Sequence, residues 1–343
     1  MVDVLVHPDL LPFITDFQPG IHADVHAYWQ KYTHGGNFWA SLGLPIESID
    51  RRLLGSDKDA RYQLLVLVAA NEINLVRRLL RSHPEYLSQP DSPHVIDIAA
   101  AFGRLDMLRF FHTSFSAMSL CSTKAMDLAA KYGYMDVIRF LHTHRSEGCT
   151  EAAMVGAAAN GHLDIVRFLH DHRNEGCTTE AIDLASTRGH LHVVQYLLRV
   201  RNEGCSTWAM DTAAGAGHLA VVQFLHSNLQ VGCTVAAMDA AAANGHLDIV
   251  SFLHFNRHEG CTTRAMDLAA KRGHLRVVEF LHKHRHEGCS EWALHGAAQN
   301  GHSDIVKILA LHRNEGNLMK ALGVAKLHGH HACVEWIQQA TRA

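Results

Sequence analysis

One period governs this chain. The segment CTTEAIDLASTRGHLHVVQYLLRVRNEG begins at Cys177, and CSTWAMDTAAGAGHLAVVQFLHSNLQVG begins twenty-eight residues later at Cys205. The frame holds without slippage: Cys149, Cys177, Cys205, Cys233, Cys261 and Cys289 open successive units, and Gly133, Gly161, Gly189, Gly217, Gly245, Gly273, Gly301 and Gly329 mark their middles. A looser unit opens at Cys121, a degenerate one carries Gly103, and a weaker one has Asn71 where the glycine should stand. About nine or ten units fill residues 59–343, most regularly over 121–316, and self-similarity at such a period is the mark of a stacked array.

Each unit reads as two short antiparallel helices. Ser or Thr follows the cysteine at Ser122, Thr150, Thr178, Ser206, Thr234, Thr262 and Ser290, where a hydroxyl accepts from the free amides of a first helix. Small residues such as Ala265, Ala269 and Ala270, with Met266, let neighbouring first helices approach closely. The glycine takes the left-handed conformation that closes the helix. A second helix follows, with Leu163, Ile165, Val166, Phe168 and Leu169 in an apolar stripe that one unit cannot bury alone. The expectation is an all-α solenoid of helix-turn-helix units.

AMDLAAKRGHLRVVEFL, Ala265 to Leu281, resembles the ankyrin repeat, and the resemblance extends over residues 59–343. The unit is shorter than the usual 33 residues, and Thr-Pro-Leu-His gives way to sequences such as Arg264-Ala-Met-Asp. The missing residues fall between Arg285 and Ser290, where the family builds projecting β-hairpin fingers, so the resemblance implies fingers shortened to tight turns. It also implies that the histidine after each glycine braces the turn by hydrogen bonding. Residues 1–58 lie outside the frame; with Phe13, Phe17, Tyr28, Trp29, Phe38 and Trp39 they are expected to form a helical cap. Gln338, Gln339, Thr341 and Arg342 give the other end a polar finish that suits a cap.

Apparent chemistry dissolves into ladders. Cysteines one layer apart stand at about 8 to 10 Å, beyond disulfide reach of about 7 Å, and are read as small buried spacers. The HxH pairs, His142 with His144, His170 with His172 and His282 with His284, point apart on a helix, which argues against a metal site. Asp127, Asp183, Asp211, Asp239 and Asp267 recur on the first helix, to pair with a cation four residues on, such as Lys131 or Lys271, or to accept from a neighbouring turn. Arg145, Arg173, Arg201, Arg257, Arg285 and Arg313 stand two residues before Glu147, Glu175, Glu203, Glu259, Glu287 and Glu315, a salt-bridge ladder. No phosphate loop, nucleophile elbow or HExxH helix occurs, and neither catalysis nor a cofactor is expected.

The net charge of −3 offers no bulk attraction to nucleic acid or membrane, and the start lacks a leader-like segment. A soluble, monomeric, intracellular protein is expected, cytoplasmic with the nucleus left open. By the resemblance, a protein partner binds the concave side, lined by the third and fourth residues of each unit and the two before the glycine: Lys124, Lys131, Tyr132, Arg188, Trp208, Arg264, Lys271, Arg272 and Trp292. Trp208 and Trp292 either pack across the groove or stand exposed as anchors. Cations outnumber Glu151, Glu180 and Glu291 there, which suits an acidic segment, unless the Asp ladder faces the same way. An adaptor reading, in which residues 1–58, through a degenerate motif at Leu10 to Phe17, dock a larger complex such as a ubiquitin ligase, is the alternative; a metal protein is the third.

Overall fold

The computed structural model describes residues 62–87, 94–115, 118, 120–228 and 232–341; the expected cap at 1–58 lies outside them. Twenty α-helices, and no strand, form among the described residues. They pair as the period requires, from Tyr62–Ala69 with Ile73–Ser82 to Leu318–Leu327 with His331–Ala340. The described residues divide into two compact units, one up to residue 153 and one from 154 onward.

Within the second unit the first helices pack in sequence: Glu180–Thr187 on Thr207–Ala216, then Val235–Ala243, Thr263–Arg272, Glu291–Gln299 and Leu318–Leu327. Small side chains permit the approach. Where Gly215 faces the next helix, an added Cβ would stand 2.9 Å from the Ala240 Cβ, closer than real Cβ atoms come. Ala265, Met266, Ala269 and Ala270 are buried, as are Val277, Val278 and Leu281 of the second helix. The apolar stripe narrows to Ile165, Val166 and Leu169, with Leu163 and Phe168 only half-buried.

Helix closure follows the glycine frame. Gly273 has φ +85, and Asn71 takes the same turn at φ +64, since asparagine is one of the few residues that tolerate it. In place of fingers, Arg285 leaves its helix extended and Gly288 turns the chain at φ +76. The terminal layer is polar on its second helix, with Gln339 and Thr341 exposed, yet Leu327 of its first helix is 81% exposed.

What ties layer to layer is the Asp ladder. Asp239 accepts from the Thr262 amide at 2.8 Å and the Thr262 hydroxyl at 2.6 Å, while the same hydroxyl accepts from the Arg264 amide at 3.2 Å and caps the next helix. Asp183 with Ser206, Asp211 with Thr234 and Asp267 with Ser290 repeat the arrangement, and the first unit has it at Asp97 with Ser122 and Asp127 with Thr150. Of the two roles expected for these carboxylates, the structure uses the neighbouring turn. Asp267 gives both oxygens to Ser290 and forms no ion pair with Lys271.

The glycine end is bonded across layers as well. The His302 ring lies on Gly273, where a Cβ would meet Cε1 at 2.6 Å, and its Nε2 lies 3.2 Å from the Lys271 carbonyl. His330 sits likewise on Gly301, with Nε2 2.8 Å from the Gln299 carbonyl. The histidine therefore braces the preceding layer rather than its own turn.

Candidate protein-binding face

Eight of the nine expected recognition residues are exposed, and Tyr132 is half-buried. Trp208 is 46% and Trp292 70% exposed, which settles the alternative left by the sequence in favour of exposed indoles. Each is the second residue after its capping serine. Ser206 Oγ accepts from the Trp208 amide at 3.1 Å, and Ser290 Oγ from the Trp292 amide at 3.2 Å. The cap thus fixes the backbone from which each indole projects.

Arg264 holds the same place between them, also exposed and also fixed by its cap. Val235 and Met319, each next to this position in its own unit, are 38% and 64% exposed. Sequence reading missed both, although their place beside the indoles in the frame was the available signal. From Trp208 to Met319, the helix starts of the second unit form a row of apolar side chains interrupted by the Arg264 cation.

The residues before the glycine divide into two kinds. Arg188 Nη1 donates to the Ala159 carbonyl at 3.1 Å and to Asn160 Oδ1 at 2.5 Å. Arg272 makes the same pair of bonds to Ala243 and Asn244. These guanidiniums are engaged with the layer behind them, although the side chains stay exposed. Lys271 is exposed and makes no ion pair among the described residues; its carbonyl accepts from Asn300 Nδ2 at 2.9 Å. In the first unit Lys131 Nζ lies 5.4 Å from the Tyr132 ring centroid, and Lys124 is exposed at a helix start capped by Ser122 at 3.2 Å.

The acids are fewer and are partly committed. Glu180 and Glu291 are exposed, and Glu291 meets Lys320 at 3.7 Å. Asp183 and Asp267 are buried against the next layer's caps, so the Asp ladder spends its acceptors inside the stack. This leaves Arg264 and Lys271 as cations of the face without an ion pair among the described residues.

Away from it lie the other ladders. Arg145, Arg173, Arg201, Arg257 and Arg285 pair with the glutamates two residues on, and Arg313 meets Glu315 at 3.7 Å. The Arg257 guanidinium holds Glu259 down at about 2. Burial raises Glu287, but the Arg285 guanidinium together with the Glu287 and Cys261 amides holds that carboxylate at about 2. Burial, with nearby carboxylates, pushes the thiols of Cys121, Cys261 and Cys289 up to about 12 and those of Cys205 and Cys233 to about 11. None of the eight cysteines forms a disulfide; six are buried, but Cys177 and Cys205 are half-buried, a departure from uniform spacers. Among the described residues no three His, Cys, Asp or Glu side chains gather as a metal site, and no helix is long and apolar enough to cross a membrane.

A family model described as ankyrin repeats, three copies, matches residues 126–211, 154–239, 237–318 and 266–341. No curated protein matches the chain.

Proposed function

The chain belongs to the ankyrin repeat family, whose repeats are generally protein–protein interaction modules, and on that premise we propose that it is a non-catalytic binding scaffold whose first-helix face receives an acidic segment of another protein. The observation that carries this reading is the row of exposed side chains at helix starts, Trp208, Arg264 and Trp292. Tryptophan and arginine are the residues that most often dominate interface energy. Helix caps hold their backbones in place, which lowers the ordering cost of association. Lys271 adds a second cation with no acid across from it among the described residues. On this reading Trp208 and Trp292 are the apolar anchors, while Arg264 and Lys271 select carboxylates and speed encounter. The scaffold acts as a monomer and needs no cofactor.

Proximity labelling by the full chain in its native cell, beside a Trp208→Ala/Arg264→Glu variant, tests the assignment. The variant should lose an acid-rich partner, with an affinity loss of more than about 2 kcal/mol once that partner is purified. Circular dichroism and melting temperature should be nearly unchanged, because both side chains point away from the core. A variant that labels the same proteins as the parent moves recognition off this face.

A further inference from the structure

Before it ends at His295 and Gly323, the ladder of carboxylates in the second unit is broken once, at its start. Ser206, Thr234, Thr262 and Ser290 each give an amide and a hydroxyl to the aspartate twenty-three residues earlier. Twenty-three residues before Thr178 stands Val155. Among the described residues the buried Thr178 hydroxyl has no partner and so caps no helix, and Thr179, which precedes the Glu180–Thr187 helix, makes no side-chain cap either.

A second defect lies on the same helix. Ser186 is fully buried with its hydroxyl unpartnered among the described residues, at the place that Ala214, Ala242, Ala270 and Ala298 fill in later layers. Burying a hydroxyl without a hydrogen bond disfavours the packed state. The far end of the helix is firmly held: Arg188 bonds to Ala159 and Asn160, and His192 Nε2 lies 3.2 Å from the Gly161 carbonyl. This junction is pinned at its glycine end and unbonded at its cap end.

We propose that the cap end of the Glu180–Thr187 helix is the built-in opening point of the second unit, where the layer that starts at Cys177 swings away from Val155 about the Arg188 pivot. Later layers move with it, because Asp183 remains bonded to Ser206. Opening wets Thr178 and Ser186, which removes the penalty of their burial. The device lets the array change its pitch at one joint while the row of helix starts from Trp208 onward keeps its spacing.

Hydrogen exchange of the full chain, followed by mass spectrometry, reads the opening directly. Peptides over 178–183 should exchange at least about tenfold faster than those over 206–211, 234–239 and 262–267, about the factor one hydrogen bond to a charged group confers. Val155→Asp supplies the missing acceptor and should slow 178–183 to the rate of its neighbours. Asp211→Val moves the defect and should speed 234–239 by a similar factor, so the inference stays testable if Val155→Asp fails to fold. Equal exchange of the four segments in the parent chain, or an Asp211→Val protein whose 234–239 segment does not speed up, overturns it.

Discussion

Substituting Gly273 by alanine separates the two reasons for a glycine in the frame. Gly273 has φ +85, and a Cβ there would stand 2.6 Å from Cε1 and 2.8 Å from Nδ1 of His302. Gly204 has φ +70 and nothing within 4 Å of the added Cβ. At Gly204 alanine meets only the left-handed penalty of about 1 to 2 kcal/mol, offset in part by the reduced freedom of the unfolded chain, so about 1 kcal/mol should be lost. At Gly273 the ring must also leave its floor. That costs its bond to the Lys271 carbonyl, about 0.5 to 1.5 kcal/mol, together with its packing, for a total of about 2 to 4 kcal/mol. Urea titrations followed by circular dichroism give both values, provided the transition stays single and its slope unchanged. A double-mutant cycle with His302→Ala isolates the ring: in that background Gly273→Ala should cost no more than Gly204→Ala. Equal costs for the two glycines in the parent chain would refute cross-layer bracing.

The remaining expectations concern the ladders. Native protein should react slowly with a thiol reagent, led by the half-buried Cys177 and Cys205, and unfolding should release eight thiols; fast reaction at Cys121, Cys261 or Cys289 would contradict their raised values of about 12. Burial and neighbouring cationic or imidazole groups lower the histidines at 190, 254, 274 and 282, so the unfolded chain binds more protons and stability is lost as pH falls through about 6.5. The melting temperature at pH 5 should lie below that at pH 7.5, and equal values would show these rings to be indifferent. Thr262→Val removes a hydroxyl bonded to Asp239 and to the Arg264 amide and should cost about 2 to 4 kcal/mol, whereas Thr178→Val removes an orphan and should be neutral or stabilising by thermal melt.

The period exposed most of the architecture, because helix starts, glycine closures and the apolar stripe are local features that recur in register. Bonds between layers were harder to read. Asp239 and Thr262 belong to different units, and nothing near either residue announces the other; the same holds for His302 and the carbonyl of Lys271. Once the pairing is known, the exception at Val155 can be read directly from the sequence, as can the replacement of the aspartate by His295 and Gly323 in the last two layers. Trp208 and Trp292 show the limit in another way. Their frame position leaves surface and groove both open, and it is the burial of Met210 and Leu294, two residues on in the same helices, that goes with indoles left outside. Arg188 and Arg272 hold the place before the glycine that the family resemblance assigns to the face, and the acceptors that engage them lie a full unit away.

A set of donors along the first helices of the second unit reaches backward. Thr262 reaches to Asp239, Arg272 to Ala243, Asn300 to Lys271, and His302 lies on Gly273 beside the Lys271 carbonyl. Each acceptor belongs to a layer that leaves the ribosome before the layer that uses it. A nascent chain therefore meets these acceptors already made, whereas the Cys261 amide, which donates to Glu287 at 3.4 Å, waits for the next layer. Growth from the other end would reverse that order, each donor standing idle until the layer before it had folded, so the stack carries an arrow, and the arrow runs with synthesis.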